Sequence, residues 1–331
     1  MIFLESRFVD LTVRVGQHFS FFIAFVCVFF LTQQSFGAPK DANAENIDQN
    51  TSMGYGDALI YGLVEGVTEF LPISSTGHLV LAKEVIAPDA EEEREEALNA
   101  YLIVIQAGAI LAVTLIYRKQ VWSILLGFIG LDPRGRRLGT NLLFAFLPAA
   151  LLGPFLDDLI EHFLLFPLPI ACALFTGAVL MYWVEGKRKK ANAFGASDSG
   201  KSLDDLTARS CLLIGFLQCF AMWPGTSRSM MTIVGGYLVG LTRAKAAEFS
   251  FLLGLITLTA AAAYKSLTKW EVMHANLEFG PVLFGCLIAG ISAAASVVWL
   301  VGYLARRGLG IFVWYRVILA LIILGFYFWQ S

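Results

Sequence analysis

Residues 65–78 read EGVTEFLPISSTGH. Carboxylates, hydroxyls and a histidine gather here inside a stretch, about 55–83, that is otherwise rich in apolar residues. Pro72 lacks the N–H that a helix interior uses, and its ring clashes with the preceding turn, so a helix entering from residue 55 has to stop here. A second stretch of this kind lies at about 210–241. There MWPGTSRSMMT (222–232) again sets proline and hydroxyls in the middle of an apolar run, and adds an arginine. The meaning of both interruptions depends on the solvent around the chain.

That solvent is lipid. The 331 residues are 57% hydrophobic and 15% charged, with a mean hydropathy of +0.68. A soluble domain of this length carries more charge over its surface. Apolar runs at about 101–117, 142–156, 167–184, 246–264, 281–304 and 311–329 read as six membrane-spanning helices. The net charge of −2, with no basic tract interleaved with aromatics, argues against nucleic acid as a partner. Cys27, Cys172, Cys211, Cys219 and Cys286 all lie in apolar runs without a CxxC, and the four histidines are scattered, so no zinc spacing is present.

Lysine and arginine set the orientation, since positive loops stay in the cytoplasm. Fifteen of them fall on one side, in clusters at 118–137, 187–209, 243–245 and 306–307. The other side receives Lys40, Lys83, Arg94, Lys265 and Lys269, with the acidic run PDAEEEREE (88–96) and Asp157, Asp158 and Glu161. Six spans alternate correctly only if 55–83 begins and ends outside and 210–241 begins and ends inside. Arms of about 14–17 residues reach roughly 20–25 Å, less than the ~30 Å of hydrocarbon. Both stretches therefore read as re-entrant helical hairpins.

The expected fold is an all-α polytopic membrane protein with six transmembrane helices plus two re-entrant hairpins. Each hairpin opens a unit of three spans, 54–184 and 210–331, and an odd number of spans inverts the second unit relative to the first. Residues 185–209 are the cytoplasmic linker between them. At the start, Arg7 and Arg14 precede FSFFIAFVCVFFL (19–31), which is short for a span and suits a signal-peptide core, with Ser35 and Gly37 near a cleavage point. Residues 1–37 are expected to be a signal sequence or N-terminal anchor, and 38–53 a polar linker.

The chemistry is expected at the two breaks. Glu65 and Glu69 are four apart and share a helix face. Ser74 or Ser75 suits the N-cap of the helix after Pro72, where unpaired N–H groups attract an anion. Ser75 and His78 are three apart, close enough for the imidazole to face the hydroxyl. At the second break Thr226, Ser227 and Ser229 are donors for oxyanions, and Arg228 is a forked cation matched to phosphate. An arginine at membrane depth marks an anionic partner by default, with Glu248 the alternative structural partner. Gln106 and the pair Tyr315–Arg316 read as packing residues.

EGVTEFLPISSTGH and QCFAMWPGTSRS (218–229) closely resemble the two signature regions of the bacterial undecaprenyl-pyrophosphate phosphatase family, the bacitracin-resistance proteins. The resemblance runs on through IQAGAILAV (105–113), EFSFLL (248–253) and Tyr315–Arg316, over roughly residues 54–330. It implies hydrolysis of undecaprenyl pyrophosphate to undecaprenyl phosphate and inorganic phosphate, which recycles the lipid carrier for peptidoglycan and other envelope polymers. It also implies an inner-membrane enzyme with its site facing the periplasm. The family's functional residues fall on Glu65, Glu69, Ser75, His78 and Arg228, with Ser74, Thr76, Ser227, Ser229 and Thr232 nearby. Two departures stand out. Met230 and Met231 replace small residues after SRS and are expected to narrow the pocket or alter access for the lipid, and the N-terminal extension is additional.

The expected mechanism makes Ser75 the nucleophile and His78 its general base, or else a water activated by Glu69 or His78 attacks directly. Glu65 and Glu69 are candidate ligands for Mg²⁺ or Ca²⁺, and no organic cofactor is expected. The alternative is an inverted-repeat lipid or anion transporter or flippase. Oligomeric state is not legible.

Overall fold

The computed structural model describes residues 53–86, 92–193, 200–268, 270–271, 273 and 277–330. The expected signal segment 1–37, nearly all of the linker 38–53, and parts of 88–96 and 185–209 lie outside the described residues.

The first interrupted stretch forms two short helices, α1 (Tyr55–Thr68) and α2 (Ser75–Ile86), separated by the turn at Pro72. Three long helices follow, α3 (Glu92–Ile116), α5 (Pro133–Leu164) and α6 (Pro167–Ala193), with a short α4 (Arg118–Phe128) between the first two. The second interrupted stretch gives α7 (Ala208–Cys219) and α8 (Arg228–Leu238), and α9 (Arg243–Thr268), α10 (Phe279–Arg307) and α11 (Gly310–Gln330) complete the chain. Six helices, among the described residues, are long and apolar enough to cross a membrane, and they coincide with the six predicted spans. The four half-helices have 14, 12, 12 and 11 residues. At 1.5 Å per residue each reaches about 16–21 Å, short of a bilayer core.

The ends of these helices follow local rules. Asp132 caps α5, accepting from the N–H groups of Arg134 and Gly135, with Pro133 at the first helical position. Hydrogen bonds from Ser123 Oγ, Gly135 and Arg134 hold its carboxyl below the usual carboxylate range. Thr207 caps α7 by accepting from Ser210 N–H.

Segment 118–137, expected as a charged loop, contains α4. Trp122, Leu125 and Phe128 recur at helical spacing and stay exposed, while the helix lies against α5. Lysines and arginines around it disguised an amphipathic surface helix as a loop. α3 also begins nine residues ahead of its apolar run, with acidic residues in its first turns, where they complement the helix dipole.

Each hairpin packs across the molecule onto the middle span of the other half. α1 lies along α10, and α7 lies along α5. The approach is backbone to backbone: a Cβ at Gly66 would overlap Ala289 O, and one at Gly215 would overlap Ala145 O. Helix α6 pairs with α11, joining the last span of each half. Ion pairs tie helix ends that the charge count put on one side. Arg243 meets Glu185 at 2.6 Å, whose other oxygen accepts from Leu309 N–H. At the opposite side Arg94 approaches Asp57 at 3.9 Å and Lys265 meets Asp157 at 3.3 Å.

Candidate active site

The two breaks are built alike. Ser74 and Ser227 are the non-glycine residues with positive φ among the described ones, at 74° and 75°. Each caps the helix that follows: Ser74 Oγ accepts from Gly77 N–H and Ser227 Oγ from Met230 N–H, both at 3.3 Å. Such backbone costs about 1–3 kcal/mol at each position and persists where surroundings over-determine it. Its effect here is to place Ser75 and Arg228 at the first positions of α2 and α8.

Several bonds hold one break against the other. Ser229 Oγ donates to Leu71 O at 2.7 Å, and Ser227 Oγ approaches the same oxygen at 3.5 Å. Behind both turns lies Arg316, with no exposed surface. Its guanidinium donates to Pro72 O at 3.4 Å and Gly225 O at 3.0 Å, and also to Ala173 O and Leu174 O of α6. Arg316 has no carboxylate partner among the described residues; backbone carbonyls alone receive this charge.

Between the breaks opens a cavity of about 420 Å³, lined by Glu65, Glu69, Ser74, Ser75, Thr76, Gln106, Ser227 and Arg228. Glu69 stands at its centre. Its Oε2 accepts from Ser75 Oγ at 2.6 Å, and its Oε1 accepts from Arg228 Nη2 at 3.1 Å. One carboxylate thus joins the hydroxyl of the first break to the guanidinium of the second. Arg228 also donates to Ser250 O at 3.2 Å and lies against Gly254, where any Cβ would overlap it. Two of five N–H donors are used this way, which leaves others for an anion. Glu65 is buried, and Gln106 Nε2 donates to its Oε1 at 3.1 Å.

His78 does not face Ser75, contrary to the expected pairing. Three residues along a helix is a turn of about 300°, which sets His78 about 60° to one side of Ser75, and the cavity lies on the other side, towards Thr76 and Leu79. His78 Nδ1 is 2.7 Å from Ser74 O and Nε2 is 2.7 Å from Tyr315 OH, with the two rings stacked. A carbonyl only accepts, so Nδ1 carries the proton. His78→Asn keeps an N–H near the Nδ1 position and is expected to retain kcat within about 10-fold, whereas loss of a general base costs 10²–10⁴-fold. Phosphate release by the purified variant checks this.

The remaining predicted residues divide. Thr232 bonds Ser250 Oγ at 2.6 Å and Ser229 bonds Leu71 O, so both sit behind the cavity and support it. Thr226 is buried in the turn, its N–H donating to Trp223 O, and does not line the cavity. Met230 and Met231 are buried in the core and do not line the pocket; Met230 stands about 200° around α8 from Arg228. Glu248 pairs with Lys245 and Gln120, which leaves Arg228 to Glu69. Gln106, Arg316 and Lys265, which also lines the cavity, were not expected in the site. The signal available for Arg316 was its depth in an apolar span.

Whether Mg²⁺ or Ca²⁺ fits depends on the donors. Both oxygens of Glu69 are engaged, and Glu65 keeps Oε2. No group of three or more histidine, cysteine or acidic residues suited to a metal occurs among the described residues. One free carboxylate oxygen does not by itself make a site for a hard cation, which takes about six or more oxygen ligands.

Comparison with known proteins identifies the family. The chain is 41% identical over 268 residues to undecaprenyl-diphosphatase 1 of Pseudomonas fluorescens (strain Pf0-1), covering 81% of this chain and 92% of that protein. Undecaprenyl-diphosphatase 2 of Rhodospirillum rubrum is 40% identical over 268 residues, 81% of this chain and 93% of the relative. The undecaprenyl-diphosphatase of Sorangium cellulosum is 41% identical over 277 residues, 82% of this chain and 86% of the relative. The family described as Bacitracin resistance protein BacA matches residues 58–322, which include both breaks, five of the six spans and the first part of the sixth. This chain belongs to the bacitracin resistance protein BacA family.

Proposed function

We propose that the chain hydrolyses undecaprenyl pyrophosphate to undecaprenyl phosphate and inorganic phosphate, recycling the lipid carrier of peptidoglycan synthesis. The observation that carries this reading is the chain Ser75–Glu69–Arg228, a hydroxyl, a proton acceptor and a phosphate clamp in bonds of 2.6 and 3.1 Å. A transporter needs the cavity but has no use for a hydroxyl bonded to a carboxylate.

In this mechanism Arg228 and the unpaired N–H groups at the start of α2 and α8 receive the pyrophosphate oxygens. Glu69 accepts the proton of Ser75 Oγ as that oxygen attacks the terminal phosphorus. The bond from that phosphorus to the bridging oxygen breaks, and undecaprenyl phosphate leaves with the proton that Glu69 took. A water then attacks the phosphoserine, its proton passing to Glu69 and from there to Ser75 Oγ as inorganic phosphate departs. A divalent cation bound with the substrate would neutralise phosphate charge, and Glu65 would hold it through Oε2. His78 positions the break through Ser74 O.

Both hairpins are read as re-entrant, their breaks meeting inside the membrane where protein and the cavity satisfy the irregular backbone. The lining climbs α9 from Leu258 to Lys265. That end lies on the cation-poor side, so the site opens to the periplasmic face of the inner membrane. The two inverted units, 54–184 and 210–331, supply one break each.

The test is phosphate release from undecaprenyl pyrophosphate by purified protein in detergent. Arg228→Ala is expected to lower kcat/KM by about 10²–10³-fold, the scale of a lost charge-stabilising donor. EDTA abolishes release if a divalent cation is required. Phosphoserine trapped at Ser75 supports covalent catalysis, and full activity in Ser75→Ala would restrict Ser75 to binding, with water as nucleophile.

A further inference from the structure

Resting on the function just proposed, we infer that Lys265 is a further substrate-binding residue, released from Asp157 to take the pyrophosphate at the mouth of the cavity. Lys265 lines the same cavity as Arg228, on the face of α9 that also presents Leu258, Ala261 and Ala262. Its ammonium is 3.3 Å from Asp157 Oδ1, and Asp157, on α5, does not line the cavity. The two side chains are 31% and 34% exposed. An ion pair this open to solvent is weakly held, and a lysine's long stem lets its ammonium exchange partners.

Charge gives the pair a purpose. The cavity lining holds Glu65 and Glu69 against Arg228 and Lys265, and Arg228 is already engaged by Glu69. A pyrophosphate entering this space needs more positive charge than Arg228 alone supplies. Arg228 lies beside Gly254, and the rise along α9 from Gly254 to Lys265 is about 16 Å. Lys265 therefore stands over the clamp at the outer end of the path, where an anion arrives and inorganic phosphate departs. Asp157 holds the ammonium aside while the cavity is empty and competes with the anion for it.

The two partners of the pair should act in opposite directions. Lys265→Ala is expected to raise KM about 10-fold and weaken inhibition by inorganic phosphate, with Lys265→Arg restoring most of the loss. Asp157→Asn, which frees the ammonium, is expected to lower KM about 3-fold and tighten phosphate inhibition. If the ion pair only braces α5 against α9, both substitutions break the same brace and shift KM the same way, which overturns the inference. No change in either variant overturns it as well. Binding of inorganic pyrophosphate to the same purified proteins separates this subsite from the reaction. The order Asp157→Asn, wild type, Lys265→Ala in affinity, with no phosphate released from the lipid by wild type, would remove the proposed activity and keep the subsite. Normal turnover with equal pyrophosphate affinities would remove the subsite alone.

Discussion

Glu69→Gln is expected to lower kcat for undecaprenyl pyrophosphate by about 10³-fold, the middle of the range for a lost general base, while the protein remains folded. The substitution is nearly isosteric. Its amide oxygen still accepts from Arg228, which donates to Glu69 at 3.1 Å, so the contact between the breaks persists. What disappears is the acceptor 2.6 Å from Ser75 Oγ, since an amide nitrogen facing that hydroxyl cannot take its proton. KM should stay level or fall, because Arg228 loses a competing negative charge. Steady-state phosphate release with Glu69→Gln, Ser75→Ala and His78→Asn side by side assigns the base. Activity within 10-fold of wild type in Glu69→Gln, with collapse in His78→Asn, would return that role to the imidazole.

The second large effect lies outside the cavity. Arg316→Lys keeps a positive charge yet is expected to lose activity by about 10²-fold or more, and to lower thermal stability in detergent. A guanidinium spans four carbonyls, those of Pro72, Gly225, Ala173 and Leu174, and a lysine's single ammonium cannot reach them all. Hydrogen bonds to a charged group contribute about 1.5–3 kcal/mol each, and carbonyls left buried and unpaired add to the loss. Pro72 and Gly225 belong to different breaks, so both turns loosen together, and Ser75, Glu69 and Arg228 drift apart. Melting curves and phosphate release on the same preparation separate the two consequences. A variant as stable and as active as wild type would show that the bonds from Ser227 and Ser229 to Leu71 O suffice to join the breaks.

Much of this fold could be read directly because a bilayer is an exacting solvent. Apolar length marks the six spans, lysine and arginine asymmetry sets their ends, and prolines in runs too short to cross identify the two hairpins. Each of these signals is local, summed over a window of neighbouring residues. The cluster of polar residues at 65–78 and 222–232 is local too, so Glu65, Glu69, Ser75 and Arg228 were legible as cavity residues, whereas Gln106 and Lys265 come from other helices and were not. Roles were less so. Spacing alone pairs His78 with Ser75, whereas in the fold its Nε2 meets Tyr315, a partner 237 positions away.

The sequence by itself determined the membrane architecture and picked out the two interrupted segments that line the cavity. Hydropathy, proline and charge act on each segment wherever it lies. Only the tertiary structure decided which atoms meet: Glu69 with Arg228 across 159 positions, and Arg316 with Pro72 across 244. A carboxylate becomes a base, and an arginine a brace, through the angle and distance at which a remote helix presents its partner. Those depend on how α1 seats on α10 and α6 on α11, a matter of packed surfaces that no single stretch of the chain contains.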